Sequence, residues 1–405
     1  LRREKIVNNI GTLYRYEIKK IVGKKLFWIM SALLFLLAVF TPFSNLVGSY
    51  YESGEKIASN LSFYKEEQAG KMALSGRALD DELFKEAIAA YSKVPEVFNY
   101  SSTEEYRKYA LAYNEIYGFI RSSTGLKFED IKNWDHDATY VYEKRKENIY
   151  LYLEDSFLTD NEIKFWKDNY EKLDKPFTYY YHDAYQILLD SFQTISIILF
   201  AFVSIVLSGV FANERQLKTE PIILASKKGK KETFMAKILA GITVSVSVSL
   251  ILSIILFSLC LGYYTPEGFD YSLTVYFNAA TYDISIGEAC IIAYLIMQIA
   301  LVLFSIFVMT LSEVLKNSVA ALSVSMLLVI LGGMISIPQS FRAIGQIWDW
   351  LPVSYLAIWN MFDERTLPIF GKCILSWQIV PIIYIILSIL LAFFSGYKYK
   401  KISVE

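Results

Sequence analysis

Six long apolar runs constrain this chain more than anything else in it. They occupy residues 26–49, 191–212, 238–264, 289–312, 317–338 and 373–397, and no Asp, Glu, Lys or Arg interrupts them. About twenty apolar residues are what a helix needs to cross a bilayer. In hydrocarbon the backbone must satisfy its own hydrogen bonds, so segments of this kind are helices. The sequence therefore predicts an all-α polytopic membrane protein with six transmembrane helices.

The charges between the runs set an orientation. Residues 1–25 are basic (Arg2, Arg3, Lys5, Arg15, Lys19, Lys20, Lys24, Lys25). Ile6, Ile10, Leu13, Tyr14, Ile18, Ile21 and Val22 are spaced by three and four, which puts them on one stripe of an amphipathic interfacial helix. Lysines also fill the 213–237 loop, Lys316 and the tail 398–405, whereas the loop 265–288 has no Lys or Arg. The positive-inside rule then places both termini and 213–237 in the cytoplasm. An even number of spans agrees. The first apolar run is too long for a signal-peptide core, so no cleavable signal is expected. Lys-over-Arg, Ile-, Tyr- and Asn-rich usage suggests a low-GC bacterium, so the expected location is a bacterial plasma membrane.

Residues 50–190 are polar and rich in acids and tyrosine, enough for a domain, and the orientation puts them outside. Their pattern is helical. Leu83, Phe84, Ala87, Ile88 and Tyr91 recur at helical spacing, as do Tyr106, Tyr109, Ala110, Tyr113, Ile116, Tyr117 and Ile120. Thr159-Asp-Asn-Glu162 has the form of a capping box. Residues 339–372, between the last two spans, carry Trp348, Trp350, Trp359, Pro352 and Pro368, which suit short helices at the outer interface or re-entrant ones.

Familiar chemistry is missing. There is no Walker A sequence, no His-Glu-x-x-His, no Gly-x-Ser-x-Gly and no Cys-x-x-Cys, so no catalytic residue, bound cofactor or metal ligand is assigned. Cys260, Cys290 and Cys373 are too few for a disulfide framework; Cys260 and Cys290 read as small apolar filler, and His136 and His182 as ordinary surface or core residues. A net charge of −1 offers no field for nucleic acid. Ionisable groups occur only at span ends (Glu214, Glu288, Glu313), which argues against a proton-coupled carrier or a cation channel. Gln193, Ser196, Phe200, Ser204 and Ser208 lie on or beside one face of the second span. They read either as helix packing or as a substrate pathway.

The 213–237 loop, NERQLKTEPIILASKKGKKETFMAK, combines dense charge with the apolar patch Pro221–Ala225. Glu214 just inside the second span, Thr219, Leu224-Ala225-Ser226, Lys227 and Lys228, and Lys237 before the third span form a loose motif. With the N-terminal interfacial helix, the six spans and Leu351-Pro352 before the last one, the chain resembles an ABC transporter permease of the type-two exporter class. Lys218 and Lys227 depart from the glycine and proline that the pattern often has there. Pro221 fits a short helix only in its first turn.

The resemblance implies a cytoplasmic ABC ATPase subunit as partner, which binds ATP and Mg and docks on a coupling helix in this loop. Glu214, Thr219, Pro221, Ile222, Leu224, Ser226, Lys227, Lys228 and Lys237 are the residues expected to couple. It also implies a second permease copy, identical or paralogous. The expected activity is export of an amphipathic substrate, such as a peptide antibiotic or drug, from the cell or from membrane lipid. A membrane receptor whose outer domain signals through partners is the alternative, although no cytoplasmic output domain is evident.

Overall fold

The computed structural model describes residues 9–401 apart from 48–49, 53, 58, 227–228, 278–280 and 370. Arg2, Arg3, Lys5 and Ile6 lie outside the described residues. The amphipathic start forms α1 (Asn9–Val22), which breaks at Gly23 and passes into α2 (Lys25–Phe40). Pro42 lacks an N–H for the ladder, and the chain tightens there into a 3-10 turn, Thr41–Leu46.

The insert is helical, as its periodicity predicts: α3 (Asn60–Leu74), α4 (Asp81–Tyr91), α5 (Asn114–Thr124), α6 (Ala138–Asp155) and α7 (Asp160–Lys172). Most of its tyrosines are buried or half-buried, Tyr51 and Tyr152 being exposed. Tyr91 and Tyr117 stack at 4.0 Å between centroids, and Tyr100 lies flat on Phe128 at 4.2 Å. The sequence shows no strand here, but a two-residue hairpin, β1 (Tyr51–Glu52) with β2 (Glu55–Lys56), leads into it.

The chain re-enters the bundle through α8 (Asp183–Leu207). Hydropathy alone starts this span at residue 191, because Asp183 and Asp190 end the apolar run. Both acids are partnered, which lets the helix continue: Asp183 by Lys71 and Tyr64, Asp190 by the Tyr276 hydroxyl at 2.8 Å. Two short helices follow, α9 (Ala212–Gln216) and α10 (Glu220–Ala225), then α11 (Lys231–Tyr264), the single turn α12 (Leu273–Tyr276), α13 (Ile286–Leu315) and α14 (Ser318–Met334). The segment before the last span holds α15 (Arg342–Asp349), α16 (Pro352–Tyr355), α17 (Ile358–Met361) and the hairpin β3 (Leu367–Ile369)–β4 (Lys372–Ile374). The last long helix is α18 (Ser376–Lys400).

Among the described residues, five segments are long and apolar enough to cross a bilayer: Lys25–Ser44, Asp183–Gln216, Lys231–Tyr264, Ile286–Leu315 and Ser376–Lys400. The sixth expected span, α14, is a helix of 17 residues. It stops short because α16 packs across its end, where Ser354 Oγ donates to the Gly332 carbonyl at 2.8 Å. Helix α13 is the hub and touches α8, α11, α14 and α18. It approaches α11 closely at Gly241, where a Cβ would meet Met309 Sδ at 2.4 Å. Helix α1 lies along α11, and Tyr14 donates to Thr243 Oγ1 at 2.9 Å.

Candidate functional site

At the end of the bundle away from the insert, four segments meet on one lysine. Lys237, in the second turn of α11, has no exposed surface. Its Nζ donates to Glu214 Oε1 at 2.7 Å, Glu17 Oε2 at 3.3 Å and the Val210 carbonyl at 3.0 Å, and lies 5.4 Å from the Phe211 ring centroid. Lys20 on α1 closes the network, donating to Glu17 Oε1 at 2.6 Å and Glu214 Oε1 at 2.8 Å. Burying an ammonium is tolerable when carboxylates and a carbonyl share its protons, and here two carboxylates face two lysines. The loop is thereby fastened to α1 and α11 through charge.

A second set fastens it to α13. Arg215 Nε donates to both oxygens of Glu220, at 2.7 and 2.8 Å, while Nη1 and Nη2 donate to the Glu313 carbonyl and Oε1 at 2.6 and 2.8 Å. Ser312 Oγ accepts from the backbone N–H groups of Phe211 and Ala212. Phe211, Phe234 and Tyr399 pack with ring centroids 5.5–5.7 Å apart, bringing in α18.

Among the residues expected to couple, Glu214 and Lys237 are the centre of this node. Thr219 precedes α10 and its hydroxyl donates to the Glu214 carbonyl at 3.2 Å. Pro221 sits in the first turn of α10, the position where its missing N–H is harmless. Leu224 is buried, and Ser226 ends the helix with Oγ on the Ile223 carbonyl. Ile222 is 74% exposed and Leu217 73%, so the loop presents apolar side chains to solvent. Lys227 and Lys228 lie outside the described residues. Gly229 follows, and a Cβ there would lie 1.8 Å from the Ile223 carbonyl oxygen. Only glycine allows the chain to fold back on α10 so closely.

The α8 residues occupy a different setting. Ser196 Oγ donates to the Phe192 carbonyl and lies 3.5 Å from Met297 Sδ; Phe200 packs on Phe304 at 4.6 Å. Ser204 and Ser208 are buried, and Gln193 is half-buried. In this conformation the face is a seam against α13.

Sequence reading missed Glu17, Lys20, Arg215, Glu313 and Tyr399. Glu17 had a usable signal: it is the one acid in α1 and falls on the apolar stripe with Tyr14, Ile18 and Ile21. Two polar clusters at the insert end were also missed. Lys71, buried on α3, pairs with Glu115 at 2.9 Å, Glu67 at 3.1 Å and Asp183 at 3.4 Å. Burial alone would lower its pKa, but Glu115, Asp183 and Glu67 outweigh it and hold the ammonium charged. Tyr64 donates to Asp183 Oδ2 at 2.8 Å, and Tyr179 to Glu115 Oε2 at 2.8 Å.

In the second cluster the capping box is present, and its Glu162 does more than cap α7. It also accepts from Arg342 Nη2 at 2.6 and 2.7 Å and from the Thr366 N–H at 2.6 Å. Trp166 Nε1 donates to the Glu364 carbonyl at 2.6 Å and Tyr282 to the Asp363 carbonyl at 2.6 Å. The insert is thus stitched to the segment before α18. His136 stacks on Tyr140 and His182 on Tyr271, and among the described residues no group of His, Cys, Asp and Glu is arranged to hold a metal.

The chain is thus a multi-pass helical bundle whose charged loop is fastened to α1, α11 and α13. It belongs to the ABC-2 transporters: a family model described as ABC-2 family transporter protein matches residues 12–362. No curated protein and no solved structure matches the chain.

Proposed function

We propose that this ABC-2 permease subunit exports an amphipathic substrate and is driven by a separate ATPase, which supplies the ATP and Mg chemistry and docks on α9 and α10. The observation that carries this reading is the clasp around Lys237. A loop that only joined two spans would have no use for a fully buried lysine, two carboxylates and an arginine linking it to α1, α11 and α13. Exposed Leu217 and Ile222 supply apolar anchors for a partner groove, with charged neighbours around them to fix register.

In this mechanism the ATPase pushes α10, and Glu214 and Arg215 carry the displacement into α1, α11 and α13. Two copies, identical or paralogous, face each other, with both termini and the loop cytoplasmic and the insert outside. The α8 face with Gln193, Ser196, Phe200, Ser204 and Ser208 becomes a substrate pathway when α8 and α13 part.

The test uses the full-length tagged chain, solubilised gently and photolabelled with an azido-ATP. A labelled ATPase subunit should co-purify, and Leu217→Asp with Ile222→Asp should release it while membrane insertion stays normal. Recovery of the chain with no nucleotide-binding subunit overturns the exporter reading. Retention of the subunit by the double variant overturns the docking assignment alone.

A further inference from the structure

Helices α11 and α18 meet at the loop end of the bundle and part farther along. Where they meet, Phe234 lies against Gly396, at which a Cβ would come 3.0 Å from the Phe234 Cε1. Phe234 also packs on Tyr399 at 5.7 Å, and Lys230 Nζ donates to the Lys400 carbonyl at 3.5 Å. Deeper in the bundle the two helices leave a groove of about 330 Å³. Ile238 and Ile242 of α11 form one wall, Ile385 and Ile389 of α18 the other, and Ile299 and Val302 of α13 the floor.

Nothing in the groove asks for a polar ligand. Its one hydroxyl, on Ser388, already donates to the Tyr384 carbonyl at 2.7 Å. Ile385 and Ile389 are about half exposed, so the groove is open along its side. All three helices belong to segments that suit a bilayer, so the medium outside the groove is hydrocarbon. In that medium helices associate through small residues, whereas these walls are β-branched. They suit a flexible acyl chain rather than another helix.

Charge at the meeting point selects the lipid. Residues 230–232 and 398–401 carry five lysines and one carboxylate, Glu232. Lys231 lies about two turns before Ile238, and Lys400 about three turns after Ile389, so each exposed lysine stands in line with the wall on its own helix. The same two helices thus carry apolar walls and, about 10–16 Å on, a cationic rim, which is the order of tail and headgroup in a phospholipid. Basic side chains beside a gap between membrane helices attract anionic headgroups. We propose that the groove binds an anionic phospholipid, with an acyl chain between α11 and α18 and the phosphate between Lys231 and Lys400. Ile238 follows Lys237 directly, so the lipid braces the helix that carries the clasp. Binding requires neither nucleotide nor partner.

The experiment uses the full-length chain in nanodiscs with a tryptophan reporter, Phe393→Trp, beside the lining residue Ala392. Val324→Trp, six residues into α14, is the control reporter away from the groove. Each reporter is read by difference from the parent chain, which has seven tryptophans. Quenching by acyl-brominated phosphatidylglycerol is compared with quenching by brominated phosphatidylethanolamine. At the Phe393→Trp reporter phosphatidylglycerol should be preferred on the order of twentyfold, from about fivefold for each of two lysines. The control reporter should show little preference.

Lys231→Gln and Lys400→Gln should each lower the preference about fivefold. Ala392→Phe, which fills the groove and leaves both charges, should abolish it. Quenching at the control reporter in each variant shows that the chain is still embedded. Equal quenching by the two lipids at the Phe393→Trp reporter overturns the proposal. So does an equal preference at both reporters, the mark of a general attraction between bilayer anions and lysines. A preference that survives either the paired lysine substitutions or Ala392→Phe overturns it as well.

Discussion

Lys237 owes its burial to two residues far away in sequence, and its substitution separates charge from volume. Lys237→Met keeps the packing but removes the buried one of the two lysines that Glu17 and Glu214 share, leaving Lys20 alone between them. Thermal unfolding in detergent should register a loss of about 3–5 kcal/mol. Adding Glu17→Gln should recover part of it, because the residues act as one network. The lysine before the third span was visible in the sequence. Its pairing with Glu17 was not, since it closes over 220 residues and only the fold brings it about.

Two carboxylates on the stitch titrate in opposite senses. Burial, and then the neighbouring Asp363, push Glu364 up from its ordinary 4.5 to about 7. Its contribution to stability is complete below pH 4.5 and is lost as pH rises through about 7. Burial would raise Glu162 too, but hydrogen bonds from Thr159, Thr366 and Arg342 hold it below the ordinary range. Its contribution is complete above that range and is lost as pH falls. Docking of the insert should therefore be firmest in mildly acidic solution. Limited proteolysis of the insert across pH checks this, and Glu364→Gln should remove the alkaline loss while leaving the acid one.

At the scale of elements, the helices of the bundle were legible because hydrocarbon leaves the backbone no alternative. Their ends were less so. Helix α8 runs on past Asp190 because tertiary partners neutralise charges that local hydropathy counts against a span. The two small hairpins are too short to leave a pattern. Helix α10 was legible as an apolar patch within charge, with Pro221 in its first turn, yet the need for Gly229 comes only from the fold. Gly229→Ala drives a methyl into the Ile223 carbonyl and must displace α10 from its seat. The expected outcome is a chain that inserts and folds normally but loses most of its substrate-stimulated ATPase activity in the assembled transporter. Unchanged stimulation would show that the position of α10 carries no signal.

Across the whole molecule, α8 connects the two charged clusters. Asp183 at one end belongs to the buried Lys71 group, and just past the other end Val210 and Glu214 hold Lys237. At 25 residues the helix spans about 37 Å, so the insert and the loop are fixed to the two ends of one rod. Asp183→Asn should loosen the near end, seen as faster amide exchange in α3 and the start of α8. If the rod transmits, exchange around Glu214 rises as well.

The shortness of α14 has a consequence for the lipid around the protein. Its 17 residues rise about 26 Å, less than the roughly 30 Å of an ordinary hydrocarbon core, whereas α11 has 34 residues. A bilayer that suits one of these helices is mismatched to the other, and the strain falls on the junction where α16 caps Gly332. Reconstitution into short-, medium- and long-chain lipids should therefore show a thickness optimum on the thin side, with transport falling as the acyl chains lengthen.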